Sequence, residues 1–152
     1  MPGSNDQLQF SPSGIALLET FEALRLQVYR DIRGIWTIGW GHTGPEVVPT
    51  LTWTRQQADT AQQEDVMYAS KAVLELVGVK LNQNQFDALV CIVFNIGINA
   101  FKTSTLLHLL NSGDYAGAAL QFGKWIYAGS TISSGLINRR KAEANLFQAA
   151  VN

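Results

Sequence analysis

Three side chains in the stretch Glu22–Thr43, EALRLQVYRDIRGIWTIGWGHT, are of the right types to move a proton and hold a water. Glu22 follows a helical pattern with Ile15, Leu18 and Phe21 on one face, and Phe21, Ala23 and Leu24 surround it with apolar groups. Partial burial disfavours the charged carboxylate, so such a glutamate keeps its proton to a higher pH and can donate it. Asp31 comes after eight intervening residues and Thr37 after five more, with Gly34 midway between them. Gly34 can supply the left-handed backbone of a tight turn. A hairpin symmetric about Gly34 sets Asp31 opposite Thr37, with β-carbons about 4.5–5.5 Å apart. A carboxylate and a hydroxyl at that separation can share a water and orient it for attack. One carboxyl in an apolar setting and one in a polar setting are the two halves of acid–base hydrolysis of a glycoside.

The elements that must position these groups are legible from local signals. Ser11-Pro12 reads as an N-cap followed by proline at the first helical position. Arg25–Trp40 reads as short strands and turns. Thr52 or Thr54 caps a long helix with Ala58, Ala61, Ala69, Val73 and Leu76 on its apolar side and Gly78 as its stop. Asn82, with Gln85 three residues on, caps a helix that is apolar nearly all round, as a central buried helix is. Shorter helices follow, capped by Ser104 or Thr105 and by Asp114, then a small-residue loop from Gly129 to Gly135 and a closing helix.

Composition narrows the class. The chain has 152 residues and a net charge of −1, and no basic run with interleaved aromatics, which argues against a nucleic-acid partner. Cys91 is the only cysteine, so there is no internal disulfide; it reads as a small core residue. No His, Cys, Asp and Glu cluster has zinc spacing and there is no calcium loop, so no metal or other cofactor is expected. The start of the chain, residues 1–10, reads as a flexible polar segment without the basic and apolar regions of a signal peptide or a signal anchor. The longest apolar run, around Cys91, is too short to span a bilayer.

The spacing Glu, eight residues, Asp, five residues, Thr resembles the catalytic signature of the phage-type lysozymes, the endolysins of glycoside hydrolase family 24. Phe21-Glu22, Tyr29-Arg30-Asp31, Trp36-Thr37-Ile38-Gly39-Trp40-Gly41-His42-Thr43, the segments 81–89 and 94–97, and the paired arginines of 135–147 carry the likeness further, over about Ser11–Phe147. The family commonly has Gly where Ala23 stands and Tyr where Trp40 stands.

The resemblance implies a mostly helical α+β, lysozyme-like fold in two lobes. Residues 11–152 would form one domain: a small β lobe over about 25–52, a connecting helix over about 53–78, and a helical lobe over about 79–152 joined by helix 11–24. It implies inverting hydrolysis of the β-1,4 bond between N-acetylmuramic acid and N-acetylglucosamine in peptidoglycan, for lysis of a bacterial host. Glu22 would be the acid, and Asp31 with Thr37 would hold the water. Thr43, Phe94 and Ser104 match positions that touch the glycan, and His42 matches a histidine that pairs with an aspartate on the connecting helix, here Asp65. A monomer is expected, held in the host cytoplasm until a membrane-permeabilising holin releases it.

Two rivals follow from the same residues: a lytic transglycosylase, which needs the glutamate but no positioned water, and a peptidoglycan-binding module without turnover. Trp36, Trp40, Trp53, Phe94, Phe101 and Trp125 are aromatics that could stack on sugars. The cluster Arg139-Arg140-Lys141 reads as helix charges that snorkel and pair, with Glu143 as a partner, in preference to a surface for anionic envelope groups. His108 reads as a surface or interhelical residue.

Overall fold

The computed structural model describes residues 5–151. Its elements are α1 (Pro12–Phe21), β1 (Arg25–Arg30), β2 (Trp36–Gly39), α2 (Arg55–Leu76), α3 (Gln83–Ile96), α4 (Ile98–Lys102), α5 (Thr105–Asn111), α6 (Tyr115–Gln121), β3 (Tyr127–Ala128), β4 (Thr131–Ile132) and α7 (Ser134–Gln148). The fold is the α+β, mostly helical one expected, with two small antiparallel sheets, β1–β2 and β3–β4.

Helix starts lie where side-chain oxygens can replace missing helix acceptors. Ser11 caps α1 with Pro12 next to it, and Thr54 with Gln57 and Asn82 with Gln85 form full capping boxes on α2 and α3. Thr54, not Thr52, is the cap of α2, and the helix stops at Leu76 with Val77 as C-cap, just short of Gly78. The second lobe is built around α3, whose residues from Phe86 to Val93 are all buried. α7, α2 and α1 pack on it, and Phe101, Leu106, Leu110, Phe122 and Phe147 close the core. Each such side chain contributes roughly 1.5–3 kcal/mol through removal of apolar surface from water.

Three expectations change. The segment 1–10 is not loose where it is described. The Asn5 side chain donates to Val79 O at 2.8 Å and accepts from Leu81 N at 2.9 Å, and Leu8 and Phe10 pack on the core; residues 1–4 lie outside the described residues. On α1, Ile15 points outward at 38% exposure, while Gly14 and Leu18, one helical turn apart, face in. The Phe10 ring fills the place a β-carbon at Gly14 would take, so the Gly14 face of α1 is the one covered. The hairpin register also differs, as described below.

Asp87 is a fully buried carboxylate on α3. It accepts from Ser11 N at 3.1 Å, from the Ser11 hydroxyl, and from Gln83 Nε2 at 2.9 Å, tying the start of α1 to the central helix. Asp87→Ala strands those partly buried donors and empties a buried site, and a loss of about 3 kcal/mol in urea unfolding at pH 7 is expected; a loss under about 1 kcal/mol means the tie contributes little.

Candidate active site

The hairpin after α1 carries the polar wall of the site. β1 and β2 pair with Tyr29 opposite Thr37 and Arg30 opposite Trp36, so Asp31 lies opposite Ile35, not Thr37. The reason is the turn. Gly34 N donates to Asp31 O at 2.9 Å, and Gly34 takes a left-handed φ of 79°, which makes 32–34 a three-residue loop instead of a turn centred on Gly34. Asp31 closes it: its Oδ1 accepts from Arg33 N at 2.8 Å and Ile35 N at 2.9 Å. One carboxylate oxygen is therefore committed to the backbone and the other is left for a ligand. Thr37 is buried, and its hydroxyl donates to Ile35 O at 2.8 Å, leaving the oxygen lone pairs to accept.

Glu22 is the residue that ends α1; its N–H still donates to Leu18 O at 2.8 Å, while its ψ of 79° turns the chain out of the helix. Burial pushes its carboxyl above the ordinary range. The charge and hydrogen bond of Arg139, whose Nη1 is 3.4 Å from Glu22 Oε2, oppose that, and the negative charge of Asp31 adds to it. Gly41 passes directly over the carboxylate: with φ of 78°, a β-carbon there would fall on the Glu22 oxygens.

Glu22, Asp31 and Thr37 line one cavity of about 570 Å³, with Tyr29 on the hairpin side and Ser134 and Arg139 of α7 on the other. Thr43, Gly41 and Phe94 belong both to this cavity and to a second of about 230 Å³ that runs on past Asp65 and Tyr68, so the two make one groove. Ser104 does not belong to it. It is buried as the N-cap of α5, its hydroxyl donating to Phe101 O and accepting from Leu107 N. Of the six aromatics, Phe94 lines the groove. Trp36 lies under Arg30, Trp40 donates to Asp59, Trp53 packs on His42, Phe101 is core, and Trp125 lines a separate cavity with Lys124.

His42 stands between two carboxylates, with Nδ1 2.7 Å from Asp65 Oδ2 and Nε2 2.6 Å from Glu46 Oε1. Glu46 was not anticipated, although its i+4 spacing from His42 is the signal that could have found it. Hydrogen bonding by Asp65 first, then by Glu46, raises the His42 pKa to about 9 against the opposing effect of burial. A folded-state value raised above the ordinary 6.5 stabilises fully below pH 6.5 and loses that contribution as the pH rises through about 9. His42→Ala is expected to lower stability by on the order of 1 kcal/mol at pH 6, and the deficit should shrink in thermal melts at pH 9.5. A deficit independent of pH would assign the effect to packing on Trp53.

The basic cluster of α7 is not a surface. Arg139 and Arg140 are buried and contact the equally buried Glu143, while Lys141 is exposed. Pairing with Glu143 holds; snorkelling does not, because α3 packs against this face. Sequence reading missed that Arg139 reaches Glu22, which only the approach of α7 to α1 decides. Among the described residues no group of three or more His, Cys, Asp and Glu side chains is arranged for a metal, and no helix is long and apolar enough to cross a membrane.

The family described as phage lysozyme matches residues 19–143. An endolysin of Acyrthosiphon pisum secondary endosymbiont phage 1 is 41% identical over 94% of the chain and 100% of its own length. The muramidase domain of SpmX from Asticaccaulis excentricus superposes with a TM-score of 0.83 at 36% identity, over 95% of this chain and 100% of that one. A variant of P22 lysozyme superposes at 0.77 with 41% identity, over 94% of this chain and 100% of that one.

Proposed function

Because this chain belongs to the phage lysozyme family, we propose that the groove between the hairpin and α7 is where it cuts peptidoglycan, with Glu22 as acid and Asp31 as base. The protein is a lysozyme, an endolysin-type hydrolase of peptidoglycan. The observation that supports the assignment of roles is the unequal setting of the two carboxyls in one cavity. Burial favours the protonated form of Glu22, and backbone N–H groups hold Asp31 as a polar acceptor.

In the reading, Glu22 gives its proton to the oxygen that leaves C1 of N-acetylmuramic acid. Asp31, through the oxygen not tied to the turn, takes a proton from a water that attacks C1 from the opposite face, and the Thr37 oxygen accepts that water's second hydrogen. The glycosidic bond breaks, a C1–hydroxyl forms with inverted configuration, and exchange with solvent restores the proton on Glu22 and removes it from Asp31. Thr43 and Phe94 hold the glycan along the groove. Residues 11–152 act as one catalytic domain, in which α2 joins the small sheet lobe to the helical lobe. The enzyme is a monomer that waits in the host cytoplasm for a holin to open the membrane.

Mass spectrometry of fragments from purified peptidoglycan, together with NMR of the first anomer formed, tests this. Hydrated reducing-end muropeptides released first as the α-anomer are expected. Anhydro-muramic ends would replace the reading by a transglycosylase, β-anomer first would replace inversion by retention, and binding without fragments would leave a binding module.

A further inference from the structure

The proposed chemistry uses none of the charge buried behind Glu22. Arg139 touches two carboxylates: Nη1 is 3.4 Å from Glu22 Oε2, and Nε is 3.4 Å from Glu143 Oε2. Arg140 Nε is 2.8 Å from Glu143 Oε1, and Arg140 Nη2 donates to Asn95 Oδ1 on α3 at 2.8 Å. Glu143 is 0% exposed and Arg140 1%. The spacing i+3 and i+4 along α7 brings both arginines onto one glutamate. A buried ion cluster of this kind is weak evidence for stability, since apolar residues of like volume often do as well. Its contact with the acid gives it another use.

We propose that Glu143 is a positioning residue for Glu22: by holding Arg139 at its Nε edge and balancing Arg140, it limits the positive charge that reaches the acid. The inference rests on the reading of Glu22 as the acid. Charged and titratable groups surround Glu22 from three sides. α7 brings Arg139, Arg140 and Glu143, the hairpin loop brings Asp31 and Arg33, and β1 brings Arg30 and Tyr29, whose phenol is pushed up by burial and by Glu22 itself. α3 brings Cys91 near the arginines, a thiol that burial keeps protonated. Burial raises the Glu143 carboxyl and both arginines oppose it; with Arg139 Nε against one of its oxygens and Arg140 Nε against the other, an ionised Glu143 meets both guanidinium groups at once. With Glu22 protonated, Arg139 and Arg140 against an ionised Glu143 leave this cluster one positive charge, while Asp31 and Arg33 of the hairpin add one charge of each sign. Remove the Glu143 charge and Glu22 faces two, which favours its ionised form and takes away the proton it must donate.

The test reads the basic limb of kcat/KM against pH, and in parallel the ¹³C-carboxyl shift of Glu22, which needs no activity. Glu143→Gln is expected to move both down by about one pH unit, and Arg140→Met to move both up. The double variant Arg140→Met with Glu143→Gln, which removes one charge of each sign, should bring them back towards the parent. If Glu143→Gln fails to fold, the Arg140→Met and double variants carry the same comparison. Opposite shifts support the proposal. Shifts under about 0.2 pH unit in every folded variant, with melting temperature alone affected, overturn it and leave Glu143 a structural counter-ion. Activity retained by a Glu22→Gln protein would instead overturn the acid assignment, whatever the carboxyl titration shows.

Discussion

Glu22→Gln should lower kcat/KM by about 10³-fold while leaving the protein folded and, at neutral pH, more stable. The amide has the size of the carboxyl and can still meet Arg139 through its oxygen, but it cannot give a proton to a leaving alkoxide. The stability half of the expectation follows from the direction of the carboxyl's shift. Burial raises the folded-state value above the ordinary 4.5, so the folded protein holds a proton that the unfolded chain has lost. That contribution is full below pH 4.5 and declines as the pH rises, so the carboxyl costs stability at neutral pH and the amide does not. Turnover of labelled peptidoglycan measures the first half, and melts at pH 5 and 7.5 measure the second, with the gap between variant and parent widening upward. Activity within tenfold of the parent would remove Glu22 from the role of acid. A gap that narrows with pH would mean that Arg139 outweighs burial.

Gly41→Ala should cost about 10²-fold in kcat/KM through a residue that carries no chemistry. Two effects add. The left-handed φ of 78° costs a residue with a β-carbon about 1–2 kcal/mol, and the new methyl falls on the Glu22 carboxylate. Either the glutamate swings away from the leaving oxygen or the 38–42 turn shifts, and displacement of about 1 Å is enough for a loss of this size. The loss should appear in kcat, with melting temperature down by only a few degrees. Gly34→Ala is the control: its φ is also left-handed, at 79°, but a β-carbon there meets nothing within 4 Å, so it should show the strain without the displaced acid. Equal kinetic losses in the two variants would mean that backbone strain alone explains Gly41.

Much of the frame was open to reading because it is local. Ser11-Pro12, Thr54 with Gln57 and Asn82 with Gln85 satisfy their own helix starts within three residues, so no distant contact could overrule them. The continuous apolar run of α3 has no polar face to offer water and had to be central. The same holds for the groups proposed to act: Glu22 at the end of a helix, with Asp31 and Thr37 on the hairpin that follows, reaches one cavity through a stretch of chain too short to place them far apart.

What failed to show in the sequence depends on partners far along the chain. Ile15 looked as fit for the core as Leu18 until Phe10 folded over Gly14. Asn5 looked free, but its amide finds backbone groups at Val79 and Leu81. Ser104 is an exception: the sequence offers it both as a local cap and as a glycan contact, and its buried hydroxyl serves the cap. The hairpin register turned on a one-residue choice of loop, and a side-chain pattern of period two cannot choose between loops when both faces carry mixed residues. Arg139, Arg140 and Glu143 read as helix charges that pair and snorkel to water; the pairing holds, but charge alone does not say whether water or another helix will meet the face. Only the packing of α7 against α3, and of its Arg139 against the end of α1, withdrew those charges from solvent into an interior where each acts more strongly and further, and set one of them against the acid.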